Sequence, residues 1–493
     1  MGAFMKSLDS KLYLKLQTEN ILKRVEKFDK LYLEFGGKIF DDYHCSRVLQ
    51  GFEIDLKVKM LAKIKNKVEV VIVINANDIE KSKQRSDINI SYADDVLRLM
   101  DEFEKMGIMV SSVVITQYAN QPFANVYRNK LDHLGIKSYI HYPIAGYPHN
   151  MDLILSEEGY GKNEYIETTR PIVVVCAPGP GSGKLATCLS QLYNENQRGI
   201  KAGYAKYETF PVWNLPLKHP VNMAYEAATA DLNDVNMIDY FHKEAYGIDA
   251  VNYNRDLEAF PVLKKIFERI YGESPYASPT DMGVNALGYA IINEEAAIET
   301  SKQEIIRRYL DAIVNYKLGK VNQTAIDKIS LLMNHLNISV EDRKCVKAAI
   351  EASKKKGVPC VALQIGNKKF ITGKQSDMFE ATSACVINAI KYLAKIPDDM
   401  PLLSYAIIGP IQELKKNQLH SNVLRLNLEE VLVTLAITAT TNAMSQRAME
   451  QLSKLEGAQM HSSVMLSSDD IKVLKKLKID VTMEDVQNTK LLN

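Results

Sequence analysis

Residues 177–184 read Ala-Pro-Gly-Pro-Gly-Ser-Gly-Lys and follow the apolar run Ile172-Val-Val-Val-Cys176. Glycines allow successive backbone N–H groups to turn toward one point, which is what an anion requires. A helix with Leu185, Cys188, Leu189 and Leu192 along one side is expected to begin at Lys184. Its N-terminus would add partial positive charge, and Lys184 a full one. Gly179, Gly181, Ser182 and Gly183 would then donate hydrogen bonds to a bound group that Lys184 neutralises. The string is close to the pattern G-x-x-x-x-G-K-[ST] but departs from it twice. Pro178 stands at the first Gly, and Leu185 stands where a hydroxyl would meet magnesium. Thr187, the nearest substitute, falls on another face of the helix. No apolar strand ends convincingly in the Asp that would complete an ATPase. The expectation is therefore a phosphorylated small molecule or nucleotide bound at this loop, with phosphoryl-transfer or phosphate-ester chemistry open to it. ATP hydrolysis is expected less than binding alone. A plain strand-to-helix turn with a solvated lysine is the structural alternative.

Five other strand ends carry polar, Gly or aromatic residues: Gly36-Gly37-Lys38, Asn75-Ala76-Asn77-Asp78, Thr116-Gln117-Tyr118, His141-Tyr142-Pro143 and Tyr207-Glu208-Thr209. In a parallel sheet such ends converge on one rim, where ligands sit. Gly36, Gly37 and Lys38 are placed in the ligand's surroundings on that ground. Asp78 and Glu208 are candidates for a general base or a magnesium ligand, and helix capping or solvation is the structural reading of each. Residues 206–246 are dense in polar groups, among them His219, Asn222, Asp234, Asp239 and His242, together with Trp213, the one tryptophan. They could wall a pocket or satisfy the backbone of a long connection. Thr372-Gly373-Lys374-Gln375-Ser376 repeats the strand–Gly–Lys–helix order more weakly, and a turn with an N-cap is preferred there. Ser182 beside Lys184 does not make a Ser–Lys hydrolase, because a Ser inside an anion loop already has a donor's role.

Positioning these residues requires alternating strands and helices. Apolar, β-rich runs occur at 31–35, 68–75, 110–116, 138–142, 172–176 and 202–207, with amphipathic helical stretches such as 92–105 and 125–134 between them. That order predicts an α/β domain over 1–235 with a mostly parallel sheet and helices on both faces. Residues 236–325 read as mainly helical, with a long helix over 294–316. Residues 326–493 return to α/β. There a hairpin of 360–365 and 370–372 turns through Gly366-Asn367-Lys368, and a helix is capped by Ser376 or Asp377. A strand is expected over 404–408, then Ala- and Thr-rich helices over 428–455, and a last short helix behind Ser467-Ser-Asp-Asp470.

The chain has 493 residues, with 61 Lys plus Arg against 60 Asp plus Glu, so its net charge of +1 supplies no field for nucleic acid or anionic lipid. At this length two to four domains are expected. No apolar run reaches the eighteen or so residues a membrane span needs, and residues 1–10 contain no signal-peptide core. The six cysteines contain no Cys-x-x-Cys pair. Buried reduced thiols in a cytoplasmic protein, without structural zinc, are expected. The helix near 438–444 is suited to close contact with another helix, within the chain or across a homo-oligomer.

Five longer strings carry a family resemblance. They are Leu31–Lys38, Arg170–Lys184, Trp213–Pro220, Ala227–Asp239 and Ser278–Gly283. Through them nearly the whole chain resembles the bacterial family known as domain of unknown function 1846. The resemblance implies an α/β part, a helical part and a C-terminal α/β part, and it brings no catalytic residues. Some members carry the label ATP-dependent peptidase. This chain has neither a His-Glu-x-x-His motif nor a nucleophile elbow to go with it. A ligand sensor or assembly protein without catalysis is the second functional expectation.

Overall fold

The computed structural model describes residues 6–85, 88, 90–232, 234–366 and 369–487. They form two compact units. One comprises Lys6–Tyr225 with Asp234–Ala297, and the other is built from 298–487 and takes in 226–232.

The first unit is organised by seven strands: β1 (Lys30–Phe35), β2 (Val68–Asn75), β3 (Met109–Thr116), β4 (Ser138–Ile140), β5 (Ile172–Cys176), β6 (Ala202–Tyr207) and β7 (Gly283–Val284). All neighbours are parallel, in the order β7-β6-β1-β5-β2-β3-β4. Strands β2 and β5 are apolar almost without interruption and buried along nearly their whole length, as a sheet covered on both faces demands. The two-residue strand β7 was not legible in the sequence. It is short, and it borrows its place at the edge by pairing with β6.

Strand β5 lies at the middle of the order. After β1 the chain moves past β5 to β2, and after β5 it moves the opposite way, past β1, to β6. Because parallel crossovers are right-handed, these two connections cover opposite faces. The crevice above β1 and β5 is thus the switch point at which open α/β sheets hold ligands. The loops that start there are the one at Gly36 and the one at Ala177.

Helix α1 (Ser10–Val25) precedes β1, and three helices matter for the site: α2 (Ala76–Glu80), α3 (Tyr92–Lys105) and α4 (Lys184–Gln197). A fifth, α5 (Asn254–Tyr271), joins α4 over one face of the sheet. Cys188, Leu189 and Leu192 of α4 and Phe260, Leu263 and Phe267 of α5 share one core with Tyr32, Val173, Val175 and Tyr204. Side chains two residues apart along a strand share a face. Glu34, Lys206 and Glu208 therefore project to the same side as Tyr32 and Tyr204, at the C-terminal edge.

In the second unit, antiparallel β8 (Cys360–Ile365) and β9 (Lys369–Lys374) extend through β10 (Gln459–Ser462) to β11 (Asp480–Met483) in the order β9-β8-β10-β11. Residues 367 and 368 of the expected hairpin turn lie outside the described residues. The helices α6 (Ala381–Ala394), α7 (Leu428–Ala439) and α8 (Ser468–Lys476) complete its core with Leu363, Val386, Ile390, Val431 and Leu474. The strand expected over 404–408 is a helix, Tyr405–Asn417. A four-residue apolar run fits either period, and Ile408 with Ile411 continues it at helical spacing onto the core. The helix expected behind Ser376 starts later, at Ala381, because Ser376 Oγ accepts the N–H groups of Met378 and Phe379 in a turn of its own.

All six cysteines are free and buried, and burial pushes the thiols of Cys176 and Cys385 up to about 12. No described helix is long and apolar enough to cross a membrane.

Candidate functional site

The Gly-rich loop is held by its carbonyls. Asn75 Nδ2, at the end of β2, donates to the Gly181 carbonyl at 3.1 Å. Thr116 Oγ1, at the end of β3, donates to the Ser182 carbonyl at 2.6 Å. The N–H of Thr187 reaches the Gly183 carbonyl at 2.9 Å and closes the first turn of α4. In a trans peptide the N–H points opposite to the C=O of the same unit. The N–H groups of Ser182 and Gly183 therefore point away from the β2–β3 flank, and that of Lys184 points out of the helix end. Among the described residues, none of the N–H groups from Gly181 to Ala186 donates to another atom of the chain.

Two glycines make this path possible. Gly181 and Gly183 have φ of 75° and 92°, a region that side chains with a Cβ rarely adopt. Gly179 is needed for space instead. A Cβ there would lie 2.2 Å from the Tyr92 hydroxyl oxygen of α3. Ser182 is 1% exposed and Thr187 fully buried, and neither hydroxyl has a partner. Lys184 is half-buried and forms no ion pair among the described residues. Unbonded amides, an unpaired lysine and an orphaned buried hydroxyl thus share one strand-to-helix turn.

The loop after β1 begins beside it, since Glu34 and Val175 are register partners. Gly36 donates its N–H to the Tyr207 carbonyl at 2.9 Å. Gly37 has φ of 68° and open space around it. The Lys38 carbonyl accepts from the buried Lys57 at 2.9 Å, and Lys57 also pairs with Asp42 at 2.8 Å. Asp78 sits in the first turn of α2, paired with Lys83 at 3.2 Å. The Lys83 ammonium in turn lies 5.0 Å from the centre of the Tyr92 ring. Among the described residues, Asp78 forms no hydrogen bond or ion pair with the Gly-rich loop.

Glu208 belongs to a different arrangement. Lys206, two residues earlier, pairs with Glu208 at 2.9 Å and with Asp256 in the first turn of α5. It also donates to the Tyr253 hydroxyl at 2.5 Å, which passes a hydrogen bond on to Glu208 at 3.1 Å. Glu34 is the register partner of Lys206 and accepts from Tyr204 at 2.7 Å. One lysine therefore stands among three carboxylates. Burial pushes the Glu208 carboxyl up to about 7 against the pull of Lys206. Burial also works against the Lys206 charge, but Asp256 and Glu208 outweigh it and hold the ammonium well above its ordinary range.

The polar segment after β6 mostly serves its own backbone. Asn222 brackets Val212 with bonds of 2.7 and 3.1 Å, Asp239 caps the helix Tyr240–Tyr246, and Asp234 pairs with Arg255 at 2.6 Å. The sequence reading passed over Glu34, Lys206, Tyr253 and Asp256. A charge next to last in an apolar strand was the available signal for Glu34 and Lys206, whereas Tyr253 and Asp256 arrive from a distant segment. Nothing local marks Tyr92 as the neighbour of Gly179.

Sheet and loop define the class: a parallel α/β protein with a Gly-rich strand-to-helix turn at the centre of its sheet. Family models described as domain of unknown function DUF1846, N-terminal and C-terminal, match residues 6–337 and 341–492. A UPF0371 protein of Streptococcus pneumoniae (strain Hungary19A-6) is 56% identical over 479 residues, 97% of this chain and 97% of the relative. A UPF0371 protein of Streptococcus pyogenes serotype M5 (strain Manfredo) is 55% identical over 481 residues, with the same coverage of both. The chain belongs to the DUF1846 family.

Proposed function

We propose that the turn from Gly179 to Lys184 binds the phosphate of a small molecule or nucleotide. The observation that carries this reading is the run of N–H groups at Ser182, Gly183 and Lys184. Their carbonyl partners are tied back to Asn75, Thr116 and Thr187, and the donors themselves are unspent. Adjacent N–H donors that the fold leaves without acceptors are what an anion satisfies, and Ser182, which carries one of them, is buried. The helix end and the unpaired Lys184 add charge of the right sign. Leu185, in place of a magnesium-binding hydroxyl, separates this turn from ATP hydrolysis by the usual route.

Isothermal calorimetry with inorganic phosphate, ATP, GTP, NAD and sugar phosphates tests the reading. At least one is expected to bind, with affinity reduced about tenfold or more in Lys184→Ala, the loss of one charge-assisted contact. Absence of heat from every ligand, or equal binding by the variant, overturns it.

One observation favours a second reading, binding without turnover. Asp78 and Glu208, the carboxylates nominated for catalysis, are each tied to a lysine, Lys83 and Lys206. Stabilisation by a ligand that is recovered unchanged after long incubation would support a sensor.

A further inference from the structure

A cleft of about 360 Å³ in the second unit lies at the N-terminal ends of three helices, α6, α7 and α8. Its size falls at the small end of ligand cavities, which run from about 300 to 1,000 Å³. Two of the three helix ends carry side-chain caps. At α7, Asn427 and Glu430 form a reciprocal capping box, and the N–H of Leu428 bonds Asp470 at 3.0 Å. At α8, Ser467 Oγ accepts the N–H of Asp470 at 3.1 Å. The end of α6 has no side-chain cap, and among the described residues the N–H groups of Ala381, Thr382 and Ser383 donate to nothing in the chain. Thr382 lines the cleft, is 1% exposed, and its hydroxyl has no hydrogen-bond partner of good geometry.

The charges of the cleft are likewise spent, save one. Arg425 is held by Glu380 at 2.7 Å and Lys415 by Glu430 at 2.8 Å. Asp470 is 3% exposed and forms no ion pair among the described residues. Burial raises its carboxyl above the usual range, and the Thr382 hydroxyl lies close enough to act the other way. The α6 amides and a buried carboxylate that no cation pairs, among the described residues, therefore share the wall of one cleft. A phosphate dianion does not suit a wall with four carboxylates, Glu380, Glu430, Asp469 and Asp470, against two cations. A molecule with a carboxylate and an ammonium on one carbon suits both halves: the carboxylate meets the α6 amides and Thr382, and the ammonium meets Asp470. Leu419, Val423, Val464 and Met465 supply an apolar wall for a side chain.

We propose that this cleft is a binding site for a free α-amino acid, distinct from the Gly-rich turn. Thermal unfolding of the full chain against each standard amino acid, followed by calorimetry, tests it. At least one amino acid raises Tm and binds. Its analogue without the amino group, its analogue without the carboxylate, and inorganic phosphate each bind about tenfold or more weakly. Thr382→Val and Asp470→Asn lose affinity to the same degree, while Lys184→Ala keeps it. The Asn variant retains an oxygen for the Leu428 N–H, and unliganded Tm verifies that both variants are folded. The proposal is overturned if no amino acid binds, if phosphate or the deaminated acid binds equally well, or if both folded variants bind like the parent.

Discussion

The ends of β5 and β6 stand two strands apart on one sheet edge and handle polarity in opposite ways. Beyond β5, carbonyls are tied down and the amides and Lys184 are left without partners. At the end of β6, Lys206, Glu208, Asp256 and Tyr253 consume one another's charges and hydrogen bonds. Both places looked alike as sequence, a strand ending in Gly, Lys or Glu. Unspent donors remain open to a ligand, whereas a mutually satisfied cluster costs stability only when it is broken. The first arrangement leaves donors open for the ligand proposed above, and the second ties α5 to the sheet through Asp256.

The largest expected effect breaks the β6 side. Lys206→Met leaves the buried Glu34 and Glu208 and the half-buried Asp256 around an apolar chain and is expected to cost about 3–5 kcal/mol in urea unfolding. A loss under about 1 kcal/mol would mean that the cluster is not mutually dependent. Next comes Gly179→Ala, whose methyl group would lie 2.2 Å from the Tyr92 hydroxyl oxygen. Overpacking of this kind costs about 1–3 kcal/mol. Tyr92→Leu in the same chain should recover much of the loss, and failure to recover it would show that the strain lies elsewhere.

The third effect depends on pH. Burial pushes the Glu208 carboxyl up to about 7 in the folded chain, against an ordinary value of about 4.3 when unfolded. Between those values the folded state holds the extra proton, so this group's contribution to stability falls as pH rises and is fully lost above 7. Glu208→Gln has no such titration. Its Tm relative to the parent should climb from pH 5 to pH 8, and a flat difference would remove the raised carboxyl from the β6 cluster. The smallest effect on stability belongs to Lys184→Ala. With no ion pair to lose, it should stay within about 0.5 kcal/mol of the parent even as anion affinity drops. A larger loss would turn Lys184 into a structural residue and erase the contrast.

Much of the sheet was legible because its strands are nearly continuous apolar runs of strand length. Val68–Asn75, Ile172–Cys176 and Ala202–Tyr207 stand at those bounds in the fold. The Gly-rich turn was legible because its residues are consecutive, so its backbone path is set locally. Short apolar stretches were not legible: Ser404–Ile408 reads equally as strand or helix, and the packing of Ile408 and Ile411 decides it. Strand β7 escaped because two residues carry no period at all.

By itself the sequence determined what neighbouring residues decide among themselves: the long apolar strands, the long helices, the glycines that permit the turn at Gly181 and Gly183, and the basic end of that turn. Tertiary structure alone decided which donors remain free. Asn75 and Thr116 lie 106 and 66 residues before the carbonyls they hold. Asp256 and Tyr253 come from a segment about 50 residues beyond β6 to close around Lys206. A local pattern can offer a hydrogen-bonding group, but only the folded chain, by bringing distant partners within 3 Å, determines whether that group is already taken.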